Sequence, residues 1–155
     1  SGEVYAAENF INTSEIESTT VRLTGLEAAV AFGPLSFQAE YSIADIEAVD
    51  PMEDAIIDGY YVQTSYFLTG ESRRYRNGHF RRVNPNEGRG AWELIARYSV
   101  LDTLQMSNGD RGETATLGVN YYHGDHIRVM LNLMQSVIDN EDDGTAASLR
   151  VQYAF

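Results

Sequence analysis

Apolar and polar residues alternate with a period of two along most of this sequence. In residues 145–155, Ala147, Leu149, Val151, Tyr153 and Phe155 interleave with Ser148, Arg150, Gln152 and Ala154. In 127–137, Ile127, Val129, Leu131, Leu133 and Val137 interleave with Arg128, Met130, Asn132, Met134 and Ser136. The same pattern runs through 114–122, 92–100, 60–69 and 35–43. Successive side chains of a strand point to opposite faces, so this periodicity predicts a series of two-faced β-strands. In 20–32 the phase slips: Val21 and Leu23 are odd, whereas Leu26, Ala28, Val30 and Phe32 are even. A β-bulge near Thr24–Gly25 would reconcile the two halves. Residues 4–10 give a less regular eighth strand.

Length decides which kind of sheet this is. The strands run to roughly 9–13 residues, against about 5–6 in soluble proteins and close to what a tilted strand needs to cross a bilayer. Their polar faces carry Gln63, Glu93, Arg97, Asn132 and Arg150. Such groups are costly in a dry core but suit a water-filled lumen whose outer wall meets lipid. The expected fold is therefore all-β, a transmembrane antiparallel β-barrel, with about seven to eight strands contributed by this chain. Connections at Gly33–Pro34 and His123–Gly124 are short, whereas 47–58, 102–112 and 138–144 are longer and acidic. Short turns on one side and long loops on the other are the barrel habit. The segment 70–90 falls on the short-turn side and breaks that rule by its length.

Composition narrows the chemistry. The formal net charge is −12, with 11 basic residues, all of them Arg. A nucleic-acid partner is excluded, since phosphate backbones need a net basic face. There is no Cys, hence no disulfide and no thiolate metal site. No apolar run is long enough for a transmembrane helix, and the opening residues carry no secretory leader. His79, His123 and His126 have no Ser or acid placed with them as a catalytic set. The acidic stretch at 139–143 lacks the spacing of a calcium loop. The sequence therefore predicts no enzyme, no metal and no cofactor.

The candidate residues are arginines. Arg73, Arg74, Arg76, Arg81, Arg82 and Arg89 cluster in the long 70–90 segment. Folded into a pore, they would replace part of an anion's hydration and repel cations; on a solvated loop they would do neither. Arg97, Arg128 and Arg150 fall on expected lumen faces, as do Glu27, Glu40 and Glu93, and could equally form wall-stiffening ion pairs. The expected anion pathway comprises Arg73, Arg74, Arg76, Arg81, Arg82, Arg97, Arg128 and Arg150. Tyr41, Trp92, Tyr121, Tyr122, Tyr153 and Phe155 lie near strand ends and predict an interfacial aromatic girdle.

These residues also carry a resemblance. The stretch GYYVQTSYFLTGESRRYRNGHFRRVNP (59–85), then GAWELIARYSVLD (90–102), TLGVNYY (116–122) and the terminal LRVQYAF resemble, in order and spacing, the C-terminal half of the phosphate-selective porins O and P. GLEAAVAFGPLSFQAEY (25–41) fits the preceding hairpin. The resemblance implies that residues 1–155 form the C-terminal part of a single sixteen-stranded barrel in the bacterial outer membrane. It implies three barrels per assembly, and passage of small anions, phosphate and polyphosphate among them, past inward-folded segments. Outer-membrane lipid and lipopolysaccharide would surround it. The chain differs from the family's Arg- and Lys-lined pathway in having no Lys. Two other functions stay open: a general diffusion porin, and a surface or structural barrel that conducts nothing.

Overall fold

A computed structural model describes residues 18–49, 54–73, 75–76, 79–80, 85, 90–104, 109–124, 126–139 and 143–153. The expected strand at 4–10 and Phe155 lie outside them. Seven long strands form one sheet: β1 (Ser18–Phe32), β2 (Leu35–Ala48), β3 (Ala55–Phe67), β6 (Ala91–Asp102), β7 (Arg111–His123), β8 (Ile127–Ile138) and β9 (Gly144–Tyr153). Two short strands, β4 (Tyr75–Arg76) and β5 (His79–Phe80), pair with each other between β3 and β6. The sheet order β1-β2-β3-β6-β7-β8-β9 is a meander, and every pairing is antiparallel. Strands of 10–15 residues are long enough to cross a bilayer at a tilt.

Register turns the alternation of each strand into two continuous faces. Leu94 pairs with Tyr66 and Val119, Val119 with Leu131, and Leu131 with Leu149. These side chains lie on the outer face, where Leu117 is 65% exposed and Leu149 70%. Large apolar side chains left open to this extent across a whole face are what a lipid-facing wall requires. The inner face carries Gln38, Gln63, Arg97 and Thr116 in one row, since each pairs with the next. Side-chain hydroxyls bond across strands there, Ser36 to Ser65 at 2.8 Å and Thr114 to Ser136 at 2.9 Å.

The expected bulge at Thr24–Gly25 is not formed. Pairing runs unbroken from Thr20↔Glu47 to Phe32↔Leu35, and the register shift lies between Ser18 and Thr20. The phase slip has another cause. Beyond Tyr41, Tyr60 and Tyr98 the two faces exchange character. The outer face there gains charge, with Arg22, Asp45, Asp58, Asp102, Arg111 and Glu113 among Ile43, Ile56 and Val100. The inner face carries Leu23, Ala44 and Ile57. Tyr98 donates to Glu113 at 2.5 Å, tying the aromatic row to the charged one. The slip marks where the outer face passes from hydrocarbon to headgroups.

Of the aromatic residues expected in a girdle, Tyr41, Trp92, Tyr121 and Tyr153 lie on the outer face. Trp92 and Tyr121 pack at 4.8 Å between ring centroids near the short-turn end, and Trp92, Tyr41 and Tyr153 are exposed on the outer face. Tyr122 does not belong to it. It follows Tyr121 in a strand and so points inward, where it is 8% exposed.

A substitution pair tests the faces. Leu117→Arg, near mid-strand on the outer face, should destabilise the folded barrel by about 2–4 kcal/mol. Thr116→Arg, one residue earlier and facing inward, should cost far less. Urea unfolding of the full-length protein in lipid vesicles measures both.

Candidate functional site

The chain leaves the wall between β3 and β6 without breaking the ladder. The Phe67 amide donates to the Pro34 carbonyl at 3.0 Å, and the Leu68 amide to the Trp92 carbonyl at 2.9 Å. Gly70 then reverses direction, with φ 87° and its amide 3.2 Å from the Phe67 carbonyl. Only glycine takes that conformation at no steric cost. Thr69 fastens the turn twice: its hydroxyl donates to Glu71 and accepts from the Trp92 amide at 3.1 Å. Glu71 is buried as a result. The Leu-Thr-Gly-Glu run is therefore a tight elbow that turns the chain onto the inner face. The chain rejoins the wall at Gly90, where φ is 69° and a Cβ would stand 2.6 Å from both the Tyr121 hydroxyl and the Tyr122 carbonyl.

Arg73 lies three residues past the elbow and anchors it. Its Nη2 lies 2.6 and 2.8 Å from the two carboxylate oxygens of Glu93 and 3.2 Å from the Tyr122 hydroxyl. Glu93 has no exposed surface, and two further donors reach its Oε2: Asn120 Nδ2 at 2.8 Å and the Tyr122 hydroxyl at 2.7 Å. A buried carboxylate is tolerated only when paired and hydrogen-bonded in this way. Burial alone would favour the neutral form of Arg73. The charge of Glu93 and the hydrogen bonds outweigh it and hold the guanidinium above its ordinary pKa. Phe67 and Tyr122 close the site, with ring centroids 6.0 Å apart and the Arg73 guanidinium 5.8 Å from the Phe67 centroid. Beyond Arg73, β4 approaches β1 with Cα atoms within 8 Å. The stretch from Arg73 to β4 thus runs from β6 and β7 toward β1.

The other described arginines have different surroundings. The Arg97 guanidinium carbon lies 3.9 Å from the centroid of Tyr61, and that of Arg128 lies 5.0 Å from Tyr122. Arg97, Arg128 and Arg150 line one trough on the inner face together with Glu40, Gln63 and Asn132, and Arg73 borders the same trough. Among the described residues, neither Arg128 nor Arg150 forms an ion pair. Arg74, Arg81 and Arg82 lie outside the described residues, and of Arg76 only the backbone, in β4, is described. Glu27 and Glu40 stand directly opposite each other on β1 and β2. Gln38 Nε2 donates to Glu27 at 3.2 Å and to the Tyr61 hydroxyl at 2.8 Å, and Ser42 donates to Glu40 at 3.2 Å. The inner face is therefore acidic toward β1 and β2 and basic toward β6, β8 and β9. Sequence reasoning places the arginines and glutamates on this face, but misses Asn120 and Tyr122 as partners of Glu93. Their shared phase with Glu93 is the signal that could have found them.

A meander of long strands, apolar outside and polar inside, with a connection folded against its inner wall, defines a porin-type β-barrel wall. The comparisons agree. The profile of the phosphate-selective porin O and P family matches residues 5–155. The chain is 37% identical over 151 residues to Porin O of Pseudomonas aeruginosa, covering 84% of this chain and 34% of that protein. It is 34% identical over 114 residues to an uncharacterized protein of Caulobacter vibrioides, covering 70% of this chain and 23% of that one. The chain belongs to the phosphate-selective porin O and P family. It is an outer-membrane protein of a family of channels rather than enzymes, and it spans about a third of the length of Porin O.

Gly90 offers a direct test of the site's geometry. Gly90→Ala combines a positive φ with a clash against Tyr121 and Tyr122 and should cost on the order of 1–3 kcal/mol. Gly33→Ala has a positive φ but open space around it, and should cost less in the same unfolding measurement.

Proposed function

We propose that this chain lines part of a passive channel for small anions, phosphate and polyphosphate among them. In this reading residues 1–155 are the C-terminal part of a single barrel, three barrels assemble together, and lipid and lipopolysaccharide surround them. The observation that carries it is the set of arginines on the inner face. Arg97 and Arg128 lie over the rings of Tyr61 and Tyr122, which attract a guanidinium without adding a negative charge of their own. Arg150 extends the set along β9. Passage requires no covalent step. An ion moves along the wall when successive cations replace part of its water shell without holding it too tightly. Arg74, Arg76, Arg81 and Arg82 share the inward segment with Arg73 in sequence and belong to the proposed pathway.

One observation favours a second reading, general diffusion without anion preference. Glu27 and Glu40 put two carboxylates on the same wall, and they oppose the field of Arg97, Arg128 and Arg150.

Reversal potentials of the full-length porin in planar bilayers separate the two. Under the anion reading the intact protein prefers anions, and replacing Arg97, Arg128 and Arg150 together by Gln lowers the anion-to-cation permeability ratio severalfold. Cation preference in the intact protein would sink that reading. The complementary variant, Glu27→Gln with Glu40→Gln, should raise the ratio; no change would show that the two carboxylates do not act on the permeating ion.

A further inference from the structure

We propose that Arg73 is a positioning residue: its pair with Glu93 holds the stretch from the Gly70 turn to β4 against the inner face and so sets the width left beside it, and Arg73 itself takes no part in binding the passing ion. The proposal rests on the channel reading above and removes one arginine from its pathway.

Three observations carry it. First, Arg73 is occupied. One of its nitrogens reaches both oxygens of Glu93, and only 15% of its side chain is exposed. An incoming anion would have to displace a carboxylate that Asn120 and Tyr122 also hold. Second, Glu93 is a fixed anchor. It sits in β6 with no exposed surface, and both of its further donors come from β7. Third, Arg73 is placed where a tether controls the most. It lies three residues past the Gly70 turn and precedes β4, which comes up to β1. With the pair released, the stretch between the Thr69 elbow and β4 loses its contact with Glu93 and Tyr122.

The test uses the full-length porin in planar bilayers and three variants: R73Q, E93Q and the double variant R73Q/E93Q. They change the charge of the wall by −1, +1 and 0. A latch fails in all three, so conductance should change in the same direction and by a similar factor in each. The size limit for neutral polymers entering the pore should move with it. Opposite shifts in R73Q and E93Q, with wild-type behaviour in the double variant, would show that the two groups act only as charges and would overturn the proposal. A fourth variant, R73K, keeps a cation against Glu93 and so tests the idea even where loss of the pair prevents assembly. It should retain the wild-type bore and the wild-type concentration of inorganic phosphate for half-block of chloride current. Weaker phosphate block with an unchanged bore would place Arg73 in the pathway and overturn the proposal. An intact protein that shows no channels fails differently, since it removes the channel reading itself.

Discussion

In hydrocarbon no water is present to bond a backbone N–H or C=O, so each must find its partner in a neighbouring strand. The rest of this structure depends on that constraint. It explains why the strands reach 10–15 residues and why the pairings run without interruption along β2, β3, β6, β7 and β8. It also fixes where the chain is free to be irregular. The excursion between β3 and β6 begins only after Phe67 and Leu68 have bonded to Pro34 and Trp92. The residues after that point turn onto the inner face, where water can serve the backbone. The elbow is thus a consequence of the ladder: the wall is completed first, and residues 69–73 then turn onto the inner face.

Much of this is legible in the sequence because alternation is local. Whether Leu131 and Asn132 share a face is decided by their being neighbours, and β8 and β9 lie almost where the pattern puts them. The features that sequence misreads depend on position along the membrane normal or on distant residues. Val21 and Leu23 fall out of phase because their stretch of wall pairs with Ala44 and Ile46 beyond the tyrosine row. A period of two says nothing about where lipid ends, so a bulge is the simplest local explanation. Residue type puts Tyr122 in the lipid girdle, although its own alternation with Tyr121 points inward. Here a compositional habit competes with a geometric rule, and the geometric rule wins.

The partner of Arg73 is the least legible feature. Glu93 lies 20 residues away, and Asn120 and Tyr122 lie a further strand on. Nothing in the run of arginines distinguishes the first from the rest. What distinguishes it is the elbow, which brings residue 73 back over β6 at the height of Glu93. That elbow depends on Gly70 and on the bonds Thr69 makes to Glu71 and Trp92. The sequence signal is the Leu-Thr-Gly-Glu run, but its meaning depends on how far the chain turns, which sequence spacing does not encode.

Counting arginines therefore misstates the charge that a solute meets. A carboxylate and an aromatic ring both hold a guanidinium, with opposite consequences. Glu93 cancels the charge of Arg73 and engages its donors. Tyr61 lies against the guanidinium of Arg97 and itself brings no opposing charge. The same reasoning reconciles a chain of net charge −12 with a basic region on its inner face. Asp45, Asp58, Asp102 and Glu113 stand on the outer face beyond the tyrosines, where headgroup water and counterions screen them. Arg97, Arg128 and Arg150 face the trough, where Glu40 is their neighbour on the same wall. Under the channel reading, selectivity is decided by which partner each guanidinium has and which face it is on, and the net charge of the chain has little bearing on it.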